Sequence, residues 1–250
     1  MSSLDIPTPP PFNPQPDPPS EMSAVETLTA IFFEPSRVFE SLRERPRFLV
    51  AGLVLILLTV VVTAVLYLRV DMGQFIRDKM ERSPRSAQQT EAQKEMGAKI
   101  GKTLGMVAVP LSVPIVAAAG AGLYLLGVMA FGGSLGYKRA VSLWIYSSLP
   151  PAVFGSLIAV IVLLLKSPDT IDPEHMLITN PGAFMGEGSS PALVALLTQF
   201  DLLKFYGLFL AALGLRKMAK LSSGSAWGIV IGFWLIGIVL RVIWAMAFGN

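Results

Sequence analysis

The chain has 250 residues, 53% hydrophobic and only 15% charged, with a mean hydropathy of +0.61. An ordinary soluble domain is about 45–50% apolar and about 25% charged, so much of this surface faces something other than water. Cysteine is absent, which excludes disulfide frameworks, thiolate metal clusters and thiol nucleophiles; the single His175 leaves no multi-histidine metal site.

Residues 1–22 read as a disordered tail, since eight prolines fall among the first twenty residues. Proline fixes φ and lacks an amide donor, so the stretch suits neither a helix nor a sheet interior. It has no basic start followed by an apolar stretch, and so does not read as a secretory signal peptide. Residues 23–47 turn helical and amphipathic. Val25, Leu28, Ile31 and Phe32 recur at helical spacing, Pro35 interrupts, and Val38, Phe39 and Leu42 then share one face opposite Arg37, Glu40, Arg43 and Glu44. A segment of this kind beside a span is expected to rest in the headgroup region. A partner protein docked there is the competing use of the face.

Residues 48–250 form the membrane domain. About 20 apolar residues in a helix cross a hydrocarbon core about 30 Å thick. Spans are expected near 48–68, 104–131, 140–165 and 224–248, with a weaker one at 194–218 that Asp201 and Lys204 interrupt. The predicted fold class is therefore all-α: a polytopic membrane protein with a five-helix transmembrane bundle and an amphipathic juxtamembrane segment. The lipid bilayer is its first partner. Strands are excluded by the length of the runs and the lack of ten-residue alternation.

Between the first two spans, residues 69–102 mix eight cations with five anions, which suggests solvated helical pieces. Gly97 to Thr103 superficially resembles a phosphate loop, but has three residues between its glycines where four are needed, and no strand precedes it. The second span carries Pro110 and Pro114, then Gly120 and Gly122 among alanines; the third carries Pro150 and Pro151 after Ser147 and Ser148. These prolines are kink candidates, with the serines able to bond the freed carbonyls. Gly228 and Gly232 in the fifth span have GxxxG spacing, and with Gly120 and Gly122 they are candidates for close helix packing, within the chain or in a homo-oligomer.

Charge at membrane depth is costly and needs partners. Asp201, Lys204 and Arg241 are the candidates for an intramembrane polar network. With five spans, the start of the fourth and the end of the fifth lie at one face, so Asp201 and Arg241 are expected to form a structural pair or shared polar network there, with snorkelling of Arg241 toward the interface as the equal alternative. The cation count near the span ends is nine on each side, so the positive-inside rule ties. The acidic 166–193 connection and the signal-free tail favour a cytoplasmic amino terminus, in a cell (inner) membrane. The formal charge of +3 reads as a membrane-surface feature, not a nucleic-acid one.

Three groups of strings carry a family resemblance. They are Ile31-Phe-Phe-Glu-Pro-Ser-Arg-Val-Phe39 running into Leu42-Arg-Glu-Arg-Pro46; Gly136-Tyr137-Lys-Arg-Ala140 followed by Tyr146-Ser-Ser-Leu-Pro150; and Phe200-Asp201-Leu-Leu-Lys-Phe205 leading into Leu213-Gly-Leu215 and Ser222-Ser-Gly-Ser-Ala226. Together, over residues 25–248, they resemble bacterial Yip-domain proteins. The resemblance implies five spans, a cytoplasmic amino terminus and an architectural Gly136-Tyr137 pair at a span boundary. Eukaryotic relatives associate with Ypt/Rab small GTPases through contexts that include an Asp-Leu-Tyr-Gly-Pro motif. This chain lacks that motif, and the bacterial branch implies no such partner.

No cofactor, metal or catalytic residue is expected. Paired acids, a ligand cluster or a nucleophile–base pair within a span are all missing from the sequence. The function expected is a non-enzymatic scaffold or interaction protein organising partners or lipids. The alternative is a small transporter or channel subunit that uses kinked spans and the charges at Asp201, Lys204 and Arg241.

Overall fold

The computed structural model describes residues 22–82, 88–173, 176–186 and 188–248. The proline-rich tail lies, except for Met22, outside the described residues, as do Arg85, Glu174, His175 and Glu187. Every regular element among the described residues is helical. They are α1 (Ala24–Ala30), α2 (Pro35–Glu44), α3 (Leu49–Arg69), α4 (Met72–Arg82), α5 (Glu91–Ala130), α6 (Tyr137–Leu165), α7 (Pro191–Leu197), α8 (Leu202–Ala219) and α9 (Ser223–Phe248). Short 3₁₀ turns, Pro168–Thr170 and Pro181–Phe184, lie in the connection after α6.

Local chemistry sets the helix ends. Ser23 with Glu26, and Thr90 with Gln93, close reciprocal capping boxes at the starts of α1 and α5, each satisfying two otherwise orphaned amides. Asp71 accepts from the Gly73 and Gln74 amides at the start of α4. Those two bonds, Gln74 first, hold its carboxyl below the ordinary aspartate range. Gly136 is the residue before α6 and Tyr137 opens it, with Tyr137 about half exposed. Lys220 ends α8 in the left-handed region at φ 54°, where glycine is the usual residue.

Helices α3, α5, α6 and α9 are each long and apolar enough to cross a membrane, and α7 with α8, bent by 51° at the break between them, is a fifth candidate if the pair is one span. No single-helix span buries more than 28% of its most apolar stretch inside the protein, so lipid must cover the rest. Side-chain contacts give the directions. Ile145 of α6 lies beside Gly52 of α3, and Arg69 at the end of α3 donates to the Leu163 and Lys166 carbonyls, so α3 and α6 run parallel. Helix α5 runs against them, with Gly120 beside Trp144, and so does α8, with Gly214 beside Leu143 and Gly207 beside Pro151. The core sits where α6 meets α3, α5 and α8, around Leu143, Tyr146, Leu149, Leu210 and Leu215.

Several expectations need correction. The fourth span is not one helix over 194–218: it breaks between Leu197 and Leu202, because Asp201 turns its side chain onto the amides that begin α8. The apolar second span is the later part of a longer helix, since α5 starts at Glu91 and carries the charged stretch as a helical extension packed beside α4. Helices α5 and α6 continue through Pro110, Pro114, Pro150 and Pro151, which lie inside them as the kink candidates. The Ser147 hydroxyl does not bond a carbonyl freed by the proline doublet; it donates to Trp144, at 3.0 Å. The Ser147 carbonyl, which Pro151 deprives of its donor, faces Gly207 of α8 instead.

The apolar face of α2 is turned onto the chain itself, while Val25 and Phe33 of the same segment stay exposed. Val38, Phe39 and Leu42 are all buried, with Phe39 lying against Gly214 and Leu143. Lys217 pairs with Glu40, Arg43 donates to the Lys217 carbonyl at 3.4 Å, and Phe32 meets Phe154 of α6 edge-on. A face that reads as amphipathic along the chain is thus spent on the chain's own α6 and α8. Its polar face remains open.

The glycines divide. A Cβ on Gly120 would collide with the Trp144 indole, and one on Gly228 would make ordinary contact with Phe131. Gly122 and Gly232 have nothing within 4 Å, so they do not pack closely in this chain. The close crossing of α5 and α9 uses Gly127 instead, against Ile229 and Phe233. Helical rotation decides this: Gly127 lies five residues past Gly122 and therefore on a different face.

Candidate functional site

An open groove of about 750 Å³ runs along the bundle. Its floor is α6 from Trp144 to Ala159; Thr59, Thr63 and Tyr124 of α3 and α5 form one wall, and Leu203, Lys204 and Gly207 of α8 form the other. The wall is mostly carbon, with hydroxyls from Thr63, Ser147, Ser148 and Ser156 along it. Gly155 and Gly207 keep it open where α6 passes α8.

Asp201 stands at one end. It is 9% exposed, and its carboxylate accepts from the Leu203 amide at 2.9 Å and the Lys204 amide at 3.1 Å. The Thr179 hydroxyl also donates to it, as does the Asn180 amide at 3.4 Å. These last two come from the connection after α6, which folds back so that the Leu202 amide donates to the Thr179 carbonyl at 3.1 Å. Gln199, 6% exposed, receives the Lys204 ammonium at 2.7 Å and donates to the Ala195 carbonyl at 3.1 Å. Phe200, Phe205 and Trp234 pack edge-to-face with centroids 5.6–6.3 Å apart, fixing the broken span to α9.

Of the three expected network residues, the structure joins Asp201 to Lys204 only through the helix cap and the shared groove. Arg241 is not among the residues that line the groove. The expected pair of Asp201 with Arg241 is not made. Among the described residues no ion pair includes either, because the Asp201 lone pairs are occupied and Arg241 lies on an exposed face of α9. Sequence reading missed Thr179, Asn180 and Gln199. One signal was available: Thr198-Gln199 interrupts an apolar run immediately before Asp201, which is a helix-stop followed by an N-cap.

A second recess, about 520 Å³, lies between α4 and the start of α5, where Asp71, Asp78 and Glu95 face Arg77, Lys99 and Lys102. Its charges balance. Among the described residues no group of three or more His, Cys, Asp or Glu is placed to hold a metal ion.

Alternating apolar helices around a lipid-exposed groove define a polytopic all-α integral membrane protein. The Yip1 domain profile matches residues 29–244, and the chain belongs to that family. It is similar to Membrane protein YknW of Bacillus subtilis (strain 168), 26% identical over 205 residues covering 80% of this chain and 82% of that one. No solved structure matches.

Proposed function

We propose that this chain is a non-enzymatic scaffold of a bacterial cell membrane, with a cytoplasmic amino terminus, that organises partners or lipids. The observation that carries this reading is the commitment of its intramembrane charge to structure. Asp201 caps α8 and ties down the preceding connection, and Lys204 is bonded to Gln199. The amphipathic hairpin of α1 and α2, locked onto α6 and α8, supports it further. It is a fixed surface presenting Arg37, Glu40 and Glu44 to a partner. The test is crosslinking in native membranes followed by purification and identification of what is retained. A consistent protein partner, lost on reversing Arg37 and Glu44, supports the scaffold. Retention of the chain alone opposes it.

A small transporter or channel subunit is the second reading, favoured by a groove that brings hydroxyls and two charged residues to membrane depth. Solute flux in proteoliposomes that disappears in Asp201→Asn, with the protein still folded, would establish this reading over the scaffold.

A further inference from the structure

The connection after α6 returns into the bundle at depth. Arg69 at the end of α3 donates to the Leu163 and Lys166 carbonyls, so α3 and α6 end at one face. Leu177 nevertheless lies 3.9 Å from where a Cβ on Gly155 would stand. Gly155 precedes Lys166 by eleven residues, about 16 Å at about 1.5 Å per residue. That is about half of a hydrocarbon core about 30 Å thick. The Thr179 carbonyl accepts from the Leu202 amide at 3.1 Å, and the Leu177 carbonyl accepts from the Asn180 side chain at 3.3 Å, which holds the loop there.

Backbone of this kind does not suit acyl chains. The residues from Met176 to Asn180 lie outside any helix or strand. Among the described residues no hydrogen bond takes the Leu177 or Ile178 amide. Non-helical backbone at membrane depth is tolerated where protein buries it or where it lines water. Ile178 is 48% exposed, so protein does not bury this stretch, and water is left. Charged side chains at depth obey the same rule, and Asp201 and Lys204 line the groove beside the loop.

A route to that water is present. A recess of about 350 Å³ lies among the loop, α7 and the end of α6, with Lys166, Thr170, Asp172 and Ser189 in its lining. Met176 lines both this recess and the groove. Among the described residues each lining holds one carboxylate and one ammonium, Asp172 with Lys166 and Asp201 with Lys204. Neither therefore favours one sign of charge.

We propose that the recess and the adjoining end of the groove form one hydrated vestibule, entered past Met176 from the face where α6 ends. It admits water and small hydrophilic solutes of either sign as far as Ser156 and Lys204. The vestibule requires neither a protein partner nor flux across the membrane, so it stands or falls separately from both functional readings.

The test uses the cysteine-free chain with one introduced cysteine at a time, in right-side-out and inverted membrane vesicles. Ser156 lines the groove, whereas Leu157, the next residue and 57% exposed, does not. Ser156→Cys should react with small membrane-impermeant methanethiosulfonates, cationic and anionic, in the ratio of rates that they show toward free mercaptoethanol. The reaction should come from the side that labels Lys166→Cys, and Leu157→Cys should stay unlabelled. Met176→Trp should abolish the reaction at Ser156→Cys and spare that at Lys166→Cys, while Met176→Ser should speed it. Protection of Ser156→Cys equal to that of Leu157→Cys would mean that acyl chains fill the groove, and overturns the proposal. Equal labelling of the two, labelling from the side that reaches Lys138→Cys, or rates untouched by both Met176 substitutions overturn it as well.

Discussion

Asp201 does the work of a turn of backbone. Its carboxylate replaces the missing intrahelical acceptors for the first amides of α8 and gathers Thr179 and Asn180 from 21 or 22 residues away. Asp201→Ala should therefore cost about 1–2 kcal/mol, the upper range for loss of an N-cap. Asp201→Asn, which keeps an acceptor, should cost much less; thermal midpoints in detergent measure both. Exchanging Asp201 and Arg241 should give no rescue of the single changes, since the two do not pair. Trp234 poses the opposite case, a buried indole N–H with no partner among the described residues. Trp234→Phe loses no hydrogen bond and keeps an aromatic ring against Phe200 and Phe205. It should be far milder than Trp234→Ala, which creates a cavity at about 3–5 kcal/mol.

At the scale of elements, the same residue type has opposite meanings on different faces. Gly120→Ala and Gly127→Ala each drive a methyl into an aromatic or branched neighbour and should lower stability by about 1–3 kcal/mol. Gly122→Ala and Gly232→Ala meet nothing, and should raise it by up to about 1 kcal/mol through helix propensity. The folded fraction after detergent extraction and heating separates the two pairs; the same response from all four would refute the assignment of faces. Phe39→Ala tests the hairpin. It vacates the contact with Gly214 and Leu143 and should cost about 3–5 kcal/mol, seen as protease cleavage within residues 24–47 before the spans unfold. Spacing made α2 legible as amphipathic, but its apolar face could equally have met lipid. Only the notch at Gly214 decides that it meets α8.

At the scale of the whole molecule, α3 is long and apolar enough to cross a membrane, which would put its two ends on opposite faces. The chain has no cysteine, so single introduced cysteines report accessibility without background. Glu44→Cys and Glu81→Cys, both at exposed positions, should be labelled by a membrane-impermeant maleimide from opposite sides. Labelling from one side would rule out α3 as a span. Helix α4 and the charged start of α5 then stand together beyond the membrane as paired helices, where the sequence suggested solvated helical pieces.

The sequence by itself determined that this is an α-helical membrane protein of the Yip-domain kind, and roughly where its spans lie. Those properties depend on local quantities: runs of apolar residues about as long as a bilayer is thick, and short strings read in order. Tertiary structure alone decided that Asp201 breaks a span, that its partners are Thr179 and Asn180, and which glycines are crossed. It also decided that a groove opens along α6 with Asp201 and Lys204 in its lining. Each of these depends on side chains brought together from distant parts of the chain, and on the rotation of each helix about its axis. Hydrophobicity along a lipid-facing span barely encodes that rotation, because both the buried and the lipid-exposed faces are apolar.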